Sequence, residues 1–442
     1  MPDIIKIKKG LDIPLAGKAS TKETIDTATT LFAIYPDDFP GPVWKSQVKE
    51  GNAVKAGEPL LLDKASGKIA LVSPVEGVVK EVNRGERRHI QYISVEKNGE
   101  GKPEIKKPQA SRESICEALY STGLWAMMRQ RPYDIVPELG VAPRDIFVTA
   151  FDSAPLAGEM LDEDLKPWLE KGLESLSLLT DGDVYLGVKH GSGITSQVAK
   201  VYEFEGPHPA GNVGTQIAAI KPVNKGETVW TLDAATTAKI GKLCDEGTLD
   251  FQTTVAVTGT KVKDPHLVKT VVGASISSLL KGFIESDKGL RIISGNVLTG
   301  VKVTLQGFLH YPYRQITVID EGNEADEFMG WASMDPKKFS VKRTFPAFLR
   351  GLSKPYDFDA RLKGGKRAMI LSGEYDKVFP FDIYPEYLLK AIMTNDIDRM
   401  EKLGIYEVAP EDFALPEFVD TSKLELQKIV RDGLDNLRKE LS

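Results

Sequence analysis

The sequence predicts a multidomain protein that combines α+β and α/β architecture. Three observations carry this expectation. Between Val48 and Val82, short β-rich runs alternate with turns centred on Gly51, Gly57, Gly67 and Gly77, the pattern of a small all-β unit. From Ser111 to Val257, strands alternate with helices, which implies a parallel sheet. Beyond about residue 340 the chain turns helical and ends on an amphipathic stretch. At 442 residues the chain is also too long for a single core.

In the first unit, Pro59–Leu62, Ile69–Val72 and Val78–Val82 read as strands within two half-repeats, V-K-E-G-N-A-V-K-A-G-E-P-L and V-S-P-V-E-G-V-V-K-E-V. This resembles the barrel-sandwich hybrid fold of biotinyl and lipoyl carrier domains, and residues 1–100 are assigned to such a domain with its lead-in. Asp63-Lys64-Ala65 looks like the lipoyl tripeptide. Counted back from Gly77, however, the slot of a modified lysine falls on Ser66, and Lys64 and Lys68 straddle it. A slipped hairpin tip carries the ε-amino group off the apex. The unit is therefore expected to be a docking module, with a lipoyl- or biotinyl-type carrier as the lesser alternative.

Net charge is −6, so nothing points to nucleic acid. No apolar run reaches the length of about 18 residues that a membrane-spanning helix needs, and M-P-D-I-I-K-I-K-K-G lacks the apolar region of a signal peptide. The expectation is a cytoplasmic chain whose membrane connection runs through a partner. Cys116 and Cys244 stand alone, and without a C-x-x-C no iron–sulfur cluster or structural zinc is expected. The five histidines sit singly, with no pair at metal-ligand spacing.

In chain order, Ile5–Lys9 reads as a strand. Gly10…Gly17-Lys18 imitates a phosphate loop, but six residues separate the glycines and Ala19 replaces the Mg²⁺-binding Ser/Thr. Asn98–Pro108 is a polar linker. A Rossmann-like α/β domain is expected over 109–250. It opens with a helix capped by Ser111 and continues through strand Asp145–Ala150, helix Glu163–Leu179, strands Val184–Val188 and Val201–Glu205, and helix Ala234–Asp245. After Val188, H-G-S-G-I-T-S supplies Gly191 and Gly193, but Ser196 takes the third glycine position. No acid follows at the ribose-binding distance, so dinucleotide binding is not expected. The loop F-E-G-P-H-P-A-G-N-V-G-T is stiffened by Pro207 and Pro209 around His208. Gly206, Gly211 and Gly214 permit close backbone approach. The loop is a candidate for ligand or partner contact, and a rigid helix-capping connector is an equal alternative.

Residues 251–335 resemble a soluble-ligand-binding β-grasp domain: strand Val268–Val272, a short helix capped by Ser275, and a hairpin bracketed by Gly295 and Gly300. F-M-G-W at 328–331 marks aromatic packing. Residues 336–442 are expected to be mostly helical and without iron–sulfur cysteines, with a buried stripe of Leu424, Leu426, Ile429, Val430, Leu434, Leu437 and Leu441.

This module order, with K-I-K-K-G-L-D-I-P-L-A-G, V-N-R-G-E-R-R, S-T-G-L-W-A-M-M-R-Q-R-P-Y, E-G-P-H-P-A-G-N-V-G-T, V-V-G-A-S and I-S-G-N-V-L-T-G, resembles the A-subunit family of the Na⁺-translocating NADH:quinone oxidoreductase along essentially the whole chain. The resemblance implies a translocase component with no redox cofactor of its own. It would sit at the cytoplasmic face of the bacterial inner membrane through membrane and peripheral partner subunits, which carry flavins and an iron–sulfur centre. The family's association with quinone makes Trp125–Tyr133 a candidate contact. Trp125, Met128 and Tyr133 offer aromatic and soft apolar surface, and Arg131 (or Arg129) offers a hydrogen bond to a quinone carbonyl. Ordinary packing is the competing reading. A stand-alone β-grasp small-ligand-binding module is the alternative to a component of a complex.

Overall fold

The computed structural model describes residues 3–20, 24–26, 28–101, 103, 105–323, 338–341 and 354–441. Two lead-in strands, β1 (Asp3–Lys6) and β2 (Thr24–Asp26), precede the barrel. The barrel comprises β3 (Leu31–Ile34), β4 (Trp44–Ser46), β5 (Ala53–Val54), β6 (Pro59–Asp63), β7 (Ala70–Val72), β8 (Gly77–Arg84) and β9 (Ile90–Lys97). One sheet runs β3-β9-β8-β5 and the other β4-β6-β7. Leu60, Leu61, Ile69, Val79, Ile93 and Val95 fill the space between them. Lys64 is exposed in the turn after β6, where the Asp63 carboxylate accepts from the Ser66 N–H at 2.8 Å. Lys68 pairs with Glu117 at 3.1 Å.

The second unit holds α1 (Arg112–Thr122), β10 (Arg129–Arg131), β11 (Asp145–Thr149), α2 (Lys166–Ser177), β12 (Val184–Lys189), β13 (Lys200–Glu205), α3 (Val213–Ile220), β14 (Val229–Asp233) and α4 (Ala234–Glu246). Its sheet order is β1-β13-β12-β11-β14-β10, parallel except for β10. The strand–helix–strand alternation is interrupted at one crossover, where the sequence also places two strands with no helix between them. β12 and β13 are parallel neighbours, yet Gly191 and Gly193 lead into a loop rather than a helix. No helix N-terminus therefore follows that G-x-G to receive a phosphate.

The third unit contains β15 (Gln252–Thr258), β16 (His266–Val271), α5 (Ile276–Leu279), β17 (Leu290–Ser294), β18 (Val301–Val303) and β19 (Gln315–Asp320), in the order β18-β17-β19-β15-β16-β2. The parallel β15–β19 pair flanked by antiparallel strands gives the mixed sheet of a β-grasp. Ser275 precedes α5 but does not cap it; its hydroxyl meets the Ser278 hydroxyl at 2.7 Å. F-M-G-W at 328–331 lies outside the described residues.

The last unit packs α6 (Pro385–Met393), α7 (Ile397–Lys402), α8 (Ala414–Val419) and α9 (Leu426–Leu441) around Leu388, Leu389, Met400 and Phe413. Of the expected α9 stripe, Leu426, Val430, Leu434 and Leu437 are buried, while Leu441 is exposed.

The lead-in does not join the barrel to which the sequence assigns it. β1 extends the α/β sheet and β2 extends the β-grasp sheet. Between them the chain acts as a strap. Leu11 N–H donates to the His208 carbonyl at 2.8 Å, Ala16 N–H to Tyr356 O at 2.9 Å, and the Gly17 carbonyl accepts from Gly259 N–H at 2.9 Å. Ile13 is buried in the helical core. The glycines that imitate a phosphate loop are thus sites of close backbone approach. A Cβ on Gly10 would stand 2.3 Å from the His208 carbonyl oxygen.

Candidate functional site

The 125–133 segment begins where α1 ends. Ser111 caps α1 by accepting from Ser114 N–H at 3.3 Å, and Gly123 closes it in the left-handed conformation. A single 3₁₀ turn, Trp125–Met127, then turns inward. The Trp125 ring lies edge-on to Trp230 at 5.0 Å and to Tyr120 at 4.6 Å, and its Nε1–H donates to the Pro137 carbonyl at 2.9 Å. Trp125 is 2% exposed and Met128 0%. The aromatic and soft apolar area expected to face a ligand is instead consumed in packing, with the indole donor satisfied internally. Arg129 donates to the Asp38 carbonyl at 2.6 Å and lies over the rings of Phe39 and Tyr311, so it joins α/β domain, barrel and β-grasp. Arg131 is also interior, 2% exposed. It donates through Nη1 to Asp412 Oδ2 at 2.9 Å and through Nη2 to Glu411 Oε1 at 2.7 Å. Tyr133 is half-buried with φ 80°, and its carbonyl accepts from Arg431 Nη2 at 2.6 Å.

The 206–214 loop is held from two sides. His208 N–H donates to Asp12 Oδ1 at 2.9 Å, which ties the loop to the strap. Gly211 N–H donates to Ser153 Oγ at 2.8 Å, leaving the Ser153 proton for His208 Nδ1 at 3.0 Å. His208 is 3% exposed, and burial pulls it down to about 4, so the ring is neutral near pH 7. A serine–histidine pair of this kind lacks the third member that would orient a catalytic base, because His208 Nε2 has no partner among the described residues. Gly206 runs against Ile7: a Cβ there would stand 2.3 Å from the Ile7 carbonyl oxygen at φ 152°. A Cβ on Gly211 would stand 2.6 Å from Ser153 N.

Gly214 links the two candidate sets. It lies in the first turn of α3, and a Cβ there would stand 2.2 Å from Asp412 Oδ1. The preceding Asn212 makes no side-chain cap. The carboxylate that holds Arg131 thus presses against the N-terminal turn of α3, where the backbone dipole favours negative charge. Asp412 is anchored by its own turn, accepting from Ala409 N–H at 2.8 Å. Burial pushes both Asp412 and Glu411 up, Arg131 opposes this, and Asp134 adds to it on both. Arg131 Nε, Asp412 Oδ1 and Thr215 Oγ1 have no hydrogen-bond partner among the described residues. The arrangement is a charged lock between the α/β unit and the helical unit. It presents no nucleophile–base pair aimed at open space. Among the described residues no cluster of His, Cys, Asp and Glu is disposed to hold a metal ion, and no helix is long and apolar enough to cross a membrane.

Glu411 and Asp412 are functional candidates that sequence reasoning does not find. P-E-D at 410–412 looks like any acidic helix start, and its partner is 281 positions away.

Comparison with known proteins adds a consistent picture. Residues 5–98 match the NqrA N-terminal barrel-sandwich hybrid domain, residues 110–249 the NqrA second alpha/beta domain, and residues 254–304 the NQRA C-terminal domain. The A subunit of the Na(+)-translocating NADH-quinone reductase of Neisseria meningitidis serogroup B is 36% identical, covering 99% of this chain and 100% of that protein. The corresponding protein of Hahella chejuensis is likewise 36% identical over 99% of this chain and 100% of its own. Among solved structures, an NAD⁺-reducing [NiFe]-hydrogenase overlaps 68% of this chain and 55% of its own, at 11% identity and a TM-score of 0.34, too loosely to support a shared fold.

Proposed function

The chain belongs to the family of A subunits of the Na⁺-translocating NADH-quinone reductase, and from that premise we propose that it sits peripherally at the cytoplasmic face of the membrane, serving assembly and quinone contact without a redox group of its own. The observation that carries this reading is the end-to-end match at 36% identity over 99% of the chain. In this reading electrons enter and travel on flavins and an iron–sulfur centre in partner subunits. The chain's part is to present a rigid surface, kept in register by the strap and by the Arg131–Asp412 lock.

Quinone contact is the finer element of the proposal. Of Trp125, Met128, Arg131 and Tyr133, only Tyr133 is half-buried rather than buried. In this reading quinone meets the chain at Tyr133, which packs against the helical core and whose carbonyl is held by Arg431, while Trp125, Met128 and Arg131 serve the interior. The test is affinity capture of the full chain from detergent-solubilised membranes in which the other subunits are expressed. Co-elution of membrane subunits, with no flavin or iron–sulfur absorbance in the chain purified alone, is expected. Capture of the chain free of any membrane protein favours a stand-alone β-grasp ligand-binding module. A lipoyl or biotinyl mass increment on Lys64 or Lys68 favours a carrier.

A further inference from the structure

Lys239 lies in the middle of α4 and is 4% exposed. Its ammonium makes no hydrogen bond or ion pair with any described residue. It borders a cavity of about 20 Å³ between the α/β unit and the β-grasp, also lined by Asp233, Thr236, Tyr311 and Arg314. The neighbouring charges are already engaged. Asp233 Oδ1 accepts from Thr236 N–H at 2.6 Å and from Arg314 Nη2 at 3.3 Å. Arg314 also donates to the Met160 carbonyl. Asp250 is held by Lys242 at 2.7 Å. The Tyr311 hydroxyl donates to the Met127 carbonyl at 2.7 Å. Among the residues that line the space, two cations thus stand against one carboxylate; Asp250 and Asp162 attract Lys239 from outside the lining, and its ammonium is left without a hydrogen-bonded partner.

A buried charge without a counter-charge is costly, so it either sheds its proton or acquires a partner. Burial, then Arg314, pulls Lys239 down to about 8, which still leaves it mostly charged near neutral pH. The cavity is polar on this side and large enough for one water-sized occupant.

We infer that this cavity is a binding site for a small monovalent anion of about chloride size, held by the Lys239 ammonium on α4 and the Arg314 guanidinium of the β-grasp. Such an ion would balance the local charge and join the two units. Larger oxyanions and carboxylates are excluded by the space.

The test is thermal unfolding of the purified full chain at fixed sodium and ionic strength, with chloride or bromide exchanged for gluconate, on wild type and Lys239→Met. The inference expects a saturable rise of about 2 °C or more with chloride or bromide in the wild type, and no anion dependence in Lys239→Met. Equal responses in both proteins, or none in either, assign the space to water and overturn it. If Lys239→Met does not fold, wild-type crystals grown in sodium bromide decide. An anomalous peak between Lys239 Nζ and Arg314 supports the site, and its absence overturns it.

Discussion

Arg131 and Asp412, 281 positions apart in sequence, meet at 2.9 Å with both side chains withdrawn from solvent, and the other oxygen of that carboxylate rests against the first turn of α3 at Gly214. One side chain from the helical unit therefore fixes an arginine of the edge strand and the start of a helix in the α/β unit. Removing one member strands the other in a dry interior. Arg131→Met is expected to cost about 3–5 kcal/mol, measured by denaturant unfolding. Arg131→Lys is expected to recover only part of this, since a single ammonium cannot reach both Asp412 and Glu411 in the same geometry.

Gly214 is required for a steric reason. Gly214→Ala places a methyl group on the Asp412 carboxylate and is expected to destabilise by about 1–3 kcal/mol, although alanine is the better helix former. Gly365 is exposed with no atom within 4 Å of its would-be Cβ, so Gly365→Ala is the control and should be nearly neutral. The same denaturant measurement compares the two.

His208 predicts an acid limb of the stability profile. Its folded value lies near 4, below the ordinary 6.5, so between these values the unfolded chain binds the proton the folded one refuses. The contribution is complete above pH 6.5 and is lost as pH falls toward 4, up to about 3 kcal/mol. His208→Asn keeps an acceptor for Ser153 without a titrating ring. Its unfolding free energy, measured from pH 7 to 4, should fall less steeply than that of the wild type.

Lys239 acts in the same direction on the alkaline side. Its folded value of about 8 lies below the ordinary 10.5, so between them the unfolded state again binds more protons and stability rises with pH. The groups facing it are Arg314, Asp233, Asp250 and Asp162. In gluconate buffer, Lys239→Met should be more stable than the wild type at pH 7. That advantage should shrink between pH 8 and 10.5, as unfolding titrations across this range would show.

The units are legible in the sequence because each has its own period and punctuation. Glycine-spaced strands, strand–helix alternation and the Leu426–Leu437 stripe are local signals that survive folding. The helix start at Ser111 carries a side-chain cap visible as a residue type, whereas Ser275, of the same type, caps nothing. What joins the units leaves no such trace. β1 and β2 are too short to advertise which sheet they enter, and hydrogen-bond pairing across 196 positions, as between His208 and Asp12, has no periodicity. Trp125 and Met128 read as surface because a short aromatic, Met-rich run looks the same whether it faces a ligand or another core residue such as Trp230. The prolines and glycines of the 206–214 loop mark it as stiff and open to close approach. What approaches it, the strap and Asp412, comes from opposite ends of the chain, and no local pattern names them.

The role of the chain as an A subunit is read out by Na⁺-stimulated NADH:quinone reductase activity in membranes that lack their own A subunit, once this chain has been added. The folded chain, free of flavin and iron–sulfur absorbance, is expected to restore activity, and Tyr133→Ala to restore assembly with a raised KM for quinone. Failure of the well-folded wild-type chain to bind such membranes or to restore any Na⁺-dependent turnover would contradict that role.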